Sequence, residues 1–179
     1  MASIQGLGGL SIGGLASRTG LSKSGLFAHF GSKERLQVET LKAAAGVFIA
    51  SVVTPAMERP AGTPRIQALF ANWLAWASSR GRHGGCIFVA ASVEMDDQDG
   101  PVRDYLVWSQ GEWLKILARA AERAVALSEF RHDLDTRQFA HDVYSTMLGF
   151  HHSTRLMRDP KADLRAHVAF DRIVADAST

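Results

Sequence analysis

The sequence predicts an all-α fold, and three observations support this prediction. Apolar residues recur at three- and four-residue spacing through most of the chain, which is the period of one helix face. Glycine, proline and acidic clusters separate these segments, at positions where helices begin or end. The longest pattern, residues 102–127, keeps helical spacing throughout. With 179 residues and 46% hydrophobic content, the chain can bury a substantial core.

The chain opens with a short glycine-rich segment, residues 1–10, which predicts a loop or a frayed end. A helix follows, in which Ile12, Leu15 and Ala16 share one apolar face. Gly20 ends this helix, because glycine best tolerates the left-handed backbone of a sharp helix stop.

The second helix begins after Ser22, whose hydroxyl can cap it. Leu26 and Phe30 are four residues apart and are expected to point into a shared core. The outer face carries small, hydrogen-bonding or basic residues: Lys23, Ser24, Gly25, Ala28 and His29. A second helix with such a face, after a glycine turn, is typical of a helix-turn-helix that fits the major groove of DNA.

These residues resemble the DNA-binding half of the TetR family of bacterial transcriptional regulators. The matching elements are Leu15-Ala16, Gly20-Leu21-Ser22-Lys23, Leu26-Phe27, His29-Phe30, and Ser32-Lys33-Glu34 followed by Leu36. The resemblance implies a helix-turn-helix DNA-binding domain over residues 1–45, followed by an α-helical ligand-binding and dimerisation domain over residues 46–179. Two positions depart from the family pattern: Gly25 replaces the usual threonine, and Phe27 the usual tyrosine.

The resemblance also implies a set of DNA-binding residues: Ser22, Lys23, Ser24, Gly25, Ala28, His29 and Lys33. Lys23 and Ser24 are the best candidates for contacts with base edges, whereas His29 and Lys33 are expected to bind phosphate. Residues 11–42 carry five basic and two acidic side chains, a net charge of +3, while the rest of the chain carries −1. Positive charge at this segment suits phosphate contacts, although a solvated cluster would explain the charge alone.

TetR-type regulators place a full helix before the helix-turn-helix. Gly6, Gly8 and Gly9 argue against such a helix here, so we expect the family's first helix to be missing. Either the sequence starts late, or the domain has an exposed apolar face that another element must cover. The alternative function is then a dimeric ligand-binding protein with little DNA affinity.

The middle of the chain is predicted to form further helices. One runs from Ser32 to about Val53 and is stopped by Pro55. Another follows Pro64, a favourable first-turn residue, and is broken by the glycine-rich residues 80–85. Residues 86–95 are apolar nearly all round, which predicts a buried helix rather than the alternative strand. The stretch 84–106 also resembles the C-terminal domains of a TetR subgroup.

The residues after position 45 hold most of the aromatic side chains and all four tryptophans. Such side chains on neighbouring helices can enclose an apolar ligand, although core packing explains them equally well. On the family resemblance, the candidate ligand-binding residues are Trp73, Trp76, Phe88, Tyr105, Trp108 and Tyr144.

The last two predicted helices cover residues 135–157 and 161–175, with Pro160 between them. They resemble the pair that packs against a second TetR-type subunit as a four-helix bundle, which implies a homodimer. An intramolecular core is the alternative for the same apolar residues.

Other classes of function receive little support. The single cysteine, Cys86, excludes an internal disulfide and agrees with a reducing cytoplasm. His141 and His152 are about three helical turns apart, too far to bind one metal ion together. Glu94 and the neighbouring aspartates are expected to cap and solvate a turn. No apolar run approaches the roughly 18 residues that would span a bilayer, so we expect no membrane span.

The prediction is therefore a cytoplasmic homodimeric repressor without metal or cofactor, and not an enzyme. It is expected to bind an operator, with palindromic half-sites, and to be released by a small apolar or amphipathic effector. An enzyme acting through Cys86 or a histidine is a third, weaker hypothesis.

Overall fold

The computed structural model describes residues 2–78 and 85–179. Within these residues the regular elements are helices, apart from one isolated bridge between Phe130 and Ser178, which confirms the all-α prediction. The helices are α1 (Ala2–Gln5), α2 (Ile12–Thr19), α3 (Lys23–Phe30), α4 (Lys33–Phe48), a π-helical turn (Ile49–Val53), α5 (Thr54–Met57), α6 (Thr63–Ser78), α7 (Ile87–Met95), α8 (Pro101–Ala126), α9 (Thr136–Arg155) and α10 (Ala162–Ala177). The predicted glycine-rich break at residues 80–85 lies almost entirely outside the described residues.

The described chain divides into two compact units. Residues 2–47 and 85–110 form the first unit, and residues 48–78 and 111–179 form the second. The division of the sequence at residue 45 into DNA-binding and ligand-binding domains stays a prediction.

In the first unit, α2 and α3 pack against the start of α4. Ile12, Ala16, Leu26 and Leu36 form a small buried core, with Leu15 and Phe30 packed against it as partly buried neighbours. This core uses the apolar positions that the helical spacing predicted.

Local hydrogen bonds fix the ends of α2 and α3. The Ser22 hydroxyl accepts a hydrogen bond from the Gly25 N–H at 3.1 Å, as expected of an N-cap. Gly20 adopts the left-handed conformation, with φ of 70°, and its N–H donates to the Ala16 carbonyl. The predicted helix stop and helix start are therefore both present.

The N-terminal segment differs from the prediction. Ala2–Gln5 is helical, and Leu7 and Leu10 are buried, with 1% and 4% of their surface exposed. The prediction of a loop or frayed end over residues 1–10 is therefore wrong for Ala2–Gln5, whereas residues 6–10 form the predicted loop, which is held by buried leucines and by hydrogen bonds with distant residues.

The helix after Ser32 continues beyond the predicted stop at Pro55. The π-helical turn Ile49–Val53 is followed directly by Thr54–Met57, where Pro55 occupies the first turn of α5. The Thr54 N–H donates to the Ile49 carbonyl, so the helical hydrogen bonding continues up to the proline, which itself lacks an N–H donor.

The continuous stretch Lys33–Met57 includes an 18-residue window that is long and apolar enough to cross a membrane by length and composition. This finding corrects the expectation that no such run exists. One such helix is weak evidence for a membrane span.

In the second unit, α9 packs against both α6 and α10. Phe70 of α6 and Phe170 of α10 are both buried and stack with ring centroids 4.0 Å apart. Asp135 caps α9 as predicted, because its carboxylate accepts hydrogen bonds from the N–H groups of Arg137 and Gln138.

Candidate DNA-binding site

Helix α3 has one buried and one open side. Leu26 is buried and Phe30 is partly buried, and both face the core shared with α2 and α4. The predicted groove-facing residues all lie on α3 and are all exposed: Lys23, Ser24, Gly25, Ala28 and His29. The arrangement can present hydrogen-bonding and basic groups to a groove while its small residues let the backbone approach closely.

The two remaining predicted residues have intramolecular partners. Ser22 caps α3, so its hydroxyl is oriented by the Gly25 N–H. The ammonium group of Lys33 donates to the carbonyl of Gly8 at 2.6 Å. An ammonium has three N–H donors, so this bond alone does not saturate Lys33.

Sequence reasoning left two apolar residues out of this surface. Leu21 and Phe27 are 58% and 57% exposed and flank the residues predicted to enter the groove. The family comparison marked Phe27 only as a lost hydroxyl, whereas its exposure also offers an apolar contact. The sequence from Ser11 to Lys33 also has no acidic residue, so the charge pattern already indicated that this whole surface suits DNA.

The six predicted ligand-binding residues are divided equally between the two units. Trp73, Trp76 and Tyr144 belong to the second unit, where the Trp73 and Tyr144 rings meet edge to face with centroids 6.4 Å apart. Phe88, Tyr105 and Trp108 belong to the first.

The residues of the first unit differ in exposure. Phe88 is buried, whereas Trp108 is 58% exposed and lies beside Tyr105 at a centroid distance of 5.4 Å. Partial burial raises the pKa of the Tyr105 hydroxyl, so this group stays protonated and can donate a hydrogen bond.

Phe48 and Trp113 form an aromatic cluster with Trp76 that the predicted set did not include. The Phe48 ring meets both indoles edge to face, with centroids 5.3 Å from Trp76 and 5.2 Å from Trp113. Trp113 is 5% exposed, and its indole N–H has no hydrogen-bond partner within the described part of the chain. Phe48 directly precedes the π-helical turn, a feature that often occurs at functional sites.

The helices predicted to dimerise expose apolar side chains. Leu164 and Val168 of α10 are 60% and 41% exposed and lie four residues apart, so they share a face. Leu156 and Met157, directly after α9, are 70% and 65% exposed.

His151 of α9 is half-buried, and its Nε2 atom has no partner among the described residues. Desolvation lowers the pKa of this imidazole below its ordinary value of 6.5, with smaller contributions from Arg155 and His152. The neutral ring is therefore favoured in the folded protein.

An all-α chain with an exposed second helix after a glycine turn has the architecture of helix-turn-helix DNA-binding regulators. Two family models match this chain: "Bacterial regulatory proteins, tetR family" over residues 2–40, and "Tetracyclin repressor-like, C-terminal domain" over residues 62–170. The chain therefore belongs to the TetR family of transcriptional regulators.

Solved structures share this fold. A TetR-family regulator from Cytophaga hutchinsonii is 17% identical and has a TM-score of 0.87, covering 99% of this chain and 89% of its own. FadR from Bacillus subtilis, solved with stearoyl-CoA, is 16% identical with a TM-score of 0.78, covering 96% and 91%. AibR, solved with isovaleryl coenzyme A and operator DNA, is 19% identical with a TM-score of 0.70, covering 94% and 91%. No curated protein matches the sequence.

Proposed function

We propose that this TetR-family member is a repressor that binds operator DNA through α3 and is released by a small apolar or amphipathic effector. The observation that carries the proposal is the open face of α3, where Lys23, Ser24, Gly25, Ala28 and His29 are exposed together. On the opposite side of α3, Leu26 and Phe30 pack into the helix-turn-helix core.

The chemistry of the exposed side chains on and beside this face assigns roles to five of them. Lys23 and Ser24 contact base edges, because an ammonium suits guanine acceptors and a hydroxyl can donate or accept. His29 and Lys33 contact phosphate. Exposed Phe27 adds an apolar contact of the kind that thymine methyl groups accept.

The repressor acts as a homodimer through α9 and α10. The exposed Leu164, Val168 and Leu156 give the outer face of this helix pair apolar material for a four-helix bundle. A two-fold dimer presents two copies of α3, so the operator is a palindrome with half-sites one helical turn apart. We expect the protein to act in the cytoplasm.

The effector is an amphipathic molecule with an apolar body, and an acyl-CoA is the first class to test. FadR and AibR, which share the fold, were solved with stearoyl-CoA and isovaleryl coenzyme A. The aromatic cluster of Phe48, Trp76 and Trp113 supports an apolar ligand, and the buried Trp113 N–H suits a ligand acceptor. Effector binding favours a state that cannot span both half-sites.

Selection from a random pool of DNA duplexes tests the proposal. The purified protein should enrich a palindrome and bind it as a dimer, with an affinity that falls steeply as salt rises. Lys23→Ala should weaken binding at least tenfold, whereas Lys115→Ala, which removes an exposed lysine of α8, should not. A pool that yields no enriched sequence, or a Lys23→Ala variant that binds like the wild type, would contradict the proposal.

The alternative function, a dimeric ligand-binding protein with little DNA affinity, is not favoured. That alternative depended on a missing first helix, yet the N-terminal family model matches from residue 2.

A further inference from the structure

A single carboxylate holds the glycine-rich segment that precedes the helix-turn-helix. The backbone N–H groups of Leu7 and Gly8 both donate to Glu94, with 2.6 Å between Leu7 N and Glu94 Oε2. Glu94 lies on α7, 86 residues along the chain from Gly8. Hydrogen bonds to an ionised acceptor are shorter and stronger than neutral ones, so a carboxylate is a strong acceptor for these two N–H groups.

The carbonyl groups of the same two residues are held from α4. The Gln37 amide, only 4% exposed, donates to the Leu7 carbonyl at 2.8 Å, and Lys33 donates to the Gly8 carbonyl. The Leu7 side chain between these contacts is 1% exposed. Four side-chain hydrogen bonds therefore fix the backbone N–H and carbonyl groups of two adjacent residues, and we call this arrangement the N-terminal clamp.

The clamp joins residues from both family regions. Leu7 and Gly8 lie in the stretch that matches the N-terminal DNA-binding model, whereas Glu94 lies in the stretch that matches the C-terminal model. The clamped segment ends at Leu10, which is also buried, and Ser11 then caps α2 through a bond from the Gly14 N–H. The segment that Glu94 holds therefore leads directly into the start of the helix-turn-helix.

We propose that Glu94 is a positioning residue for DNA binding, and that it acts by holding Leu7 and Gly8 so that α2 and α3 meet the groove in register. The inference rests on the proposed function, because its readout is operator affinity. Lys33 has a double role in this scheme: its bond to Gly8 holds the ammonium beside the α4 N-terminus, where it can also reach phosphate.

The sign of the charge effect makes the proposal testable. Glu94→Ala removes a negative charge, and electrostatics alone would tighten binding to DNA. The matched control is Asp97→Asn, which removes one negative charge from the exposed turn after α7. Glu94→Gln removes the charge but keeps one carbonyl acceptor, so its DNA affinity should lie between those of Glu94→Ala and Asp97→Asn.

Two measurements follow. Affinity is measured by fluorescence anisotropy on the duplex that the wild-type protein selects, with the dimer verified by sedimentation. Glu94→Ala should weaken binding at least tenfold, whereas Asp97→Asn should bind as tightly as the wild type or more tightly. Amide hydrogen exchange should show Leu7 and Gly8 protected in the wild type and exchanging at least tenfold faster in Glu94→Ala.

A second variant serves if Glu94→Ala does not fold. A methyl group on Gly8 would collide with the Glu94 carboxylate, so Gly8→Ala should also weaken DNA binding. Gly46→Ala is its control, since a methyl group there has no neighbour within 4 Å.

The outcomes separate the two proposals. If the wild type binds its selected duplex but Glu94→Ala binds as tightly as Asp97→Asn, the positioning role is wrong and the proposed function stands. Unprotected Leu7 and Gly8 amides in the wild type would also overturn it. A wild type that selects no duplex overturns the proposed function and this inference with it.

Discussion

The two glycines at opposite ends of α2 should respond oppositely to the same substitution. Gly13 lies within the helix, and a methyl group there would meet only the end of the Lys23 side chain, at an ordinary contact distance of 3.9 Å. Gly13→Ala should therefore stabilise the helix by the difference in helix propensity, about 1 kcal/mol.

Gly20 presents the contrary case. A methyl group there has open space around it, yet the backbone is held at φ of 70°, where an L-residue is strained. Gly20→Ala should destabilise the helix-turn-helix by about 1 kcal/mol or more. The two variants make the same chemical change, so the expected separation of roughly 2 kcal/mol isolates the backbone effect.

Native-state hydrogen exchange of α2 amides is the suitable assay, because all four tryptophans lie after residue 72 and do not report on this helix. Protein concentration is held fixed, since the stability of a dimer depends on it. Exchange should slow about fivefold in Gly13→Ala and accelerate about fivefold in Gly20→Ala. If both variants changed exchange in the same direction, the assignment of Gly13 to the helix and Gly20 to the left-handed stop would be refuted.

Three further predictions follow from the structure. Ser22→Ala should destabilise α3 by about 1 kcal/mol, measured by exchange of its first-turn amides, since the Gly25 N–H loses its acceptor. Stability should fall as the pH drops below 6.5 through the lowered pKa of His151, because the unfolded chain then binds more protons; His151→Gln should reduce this loss in pH-dependent denaturation, with exposed His141→Gln as control. Leu164→Asp should give monomers in sedimentation experiments, whereas Leu127→Asp, at another exposed leucine, should leave dimers.

Local features of this fold were predictable from the sequence. Gly20, Ser22 and Asp135 act on backbone groups within a few residues of themselves, so their identity and spacing suffice to place the helix ends. The buried residues of the helix-turn-helix core were predictable for the same reason, since helical spacing fixes which side chains share a face.

Features that depend on distant partners were not predictable. Glu94 resembled a residue that solvates a turn, because nothing near it in the sequence indicates Leu7 and Gly8 as its donors. The burial of Leu7 likewise involves residues far along the chain, and the π-helical turn before Pro55 packs against α6, where Asn72 donates to the Val52 carbonyl. The candidate DNA-binding residues were identified by local pattern, and their contacts with DNA stay predictions.

The glycine content of the N-terminal region explains both why its sequence predicts little helix and why the N-terminal clamp is needed. Gly13 and Gly14 each cost α2 about 1 kcal/mol relative to alanine, and the glycines before it add conformational freedom to the unfolded chain. A segment with so little intrinsic helix preference depends on tertiary contacts for its order. Glu94 and Gln37 supply such contacts from α7 and α4. Because the segment has little helix preference of its own, we expect loss of these contacts to change the population of its ordered state, which is how a regulated DNA-binding segment can respond to a distant residue.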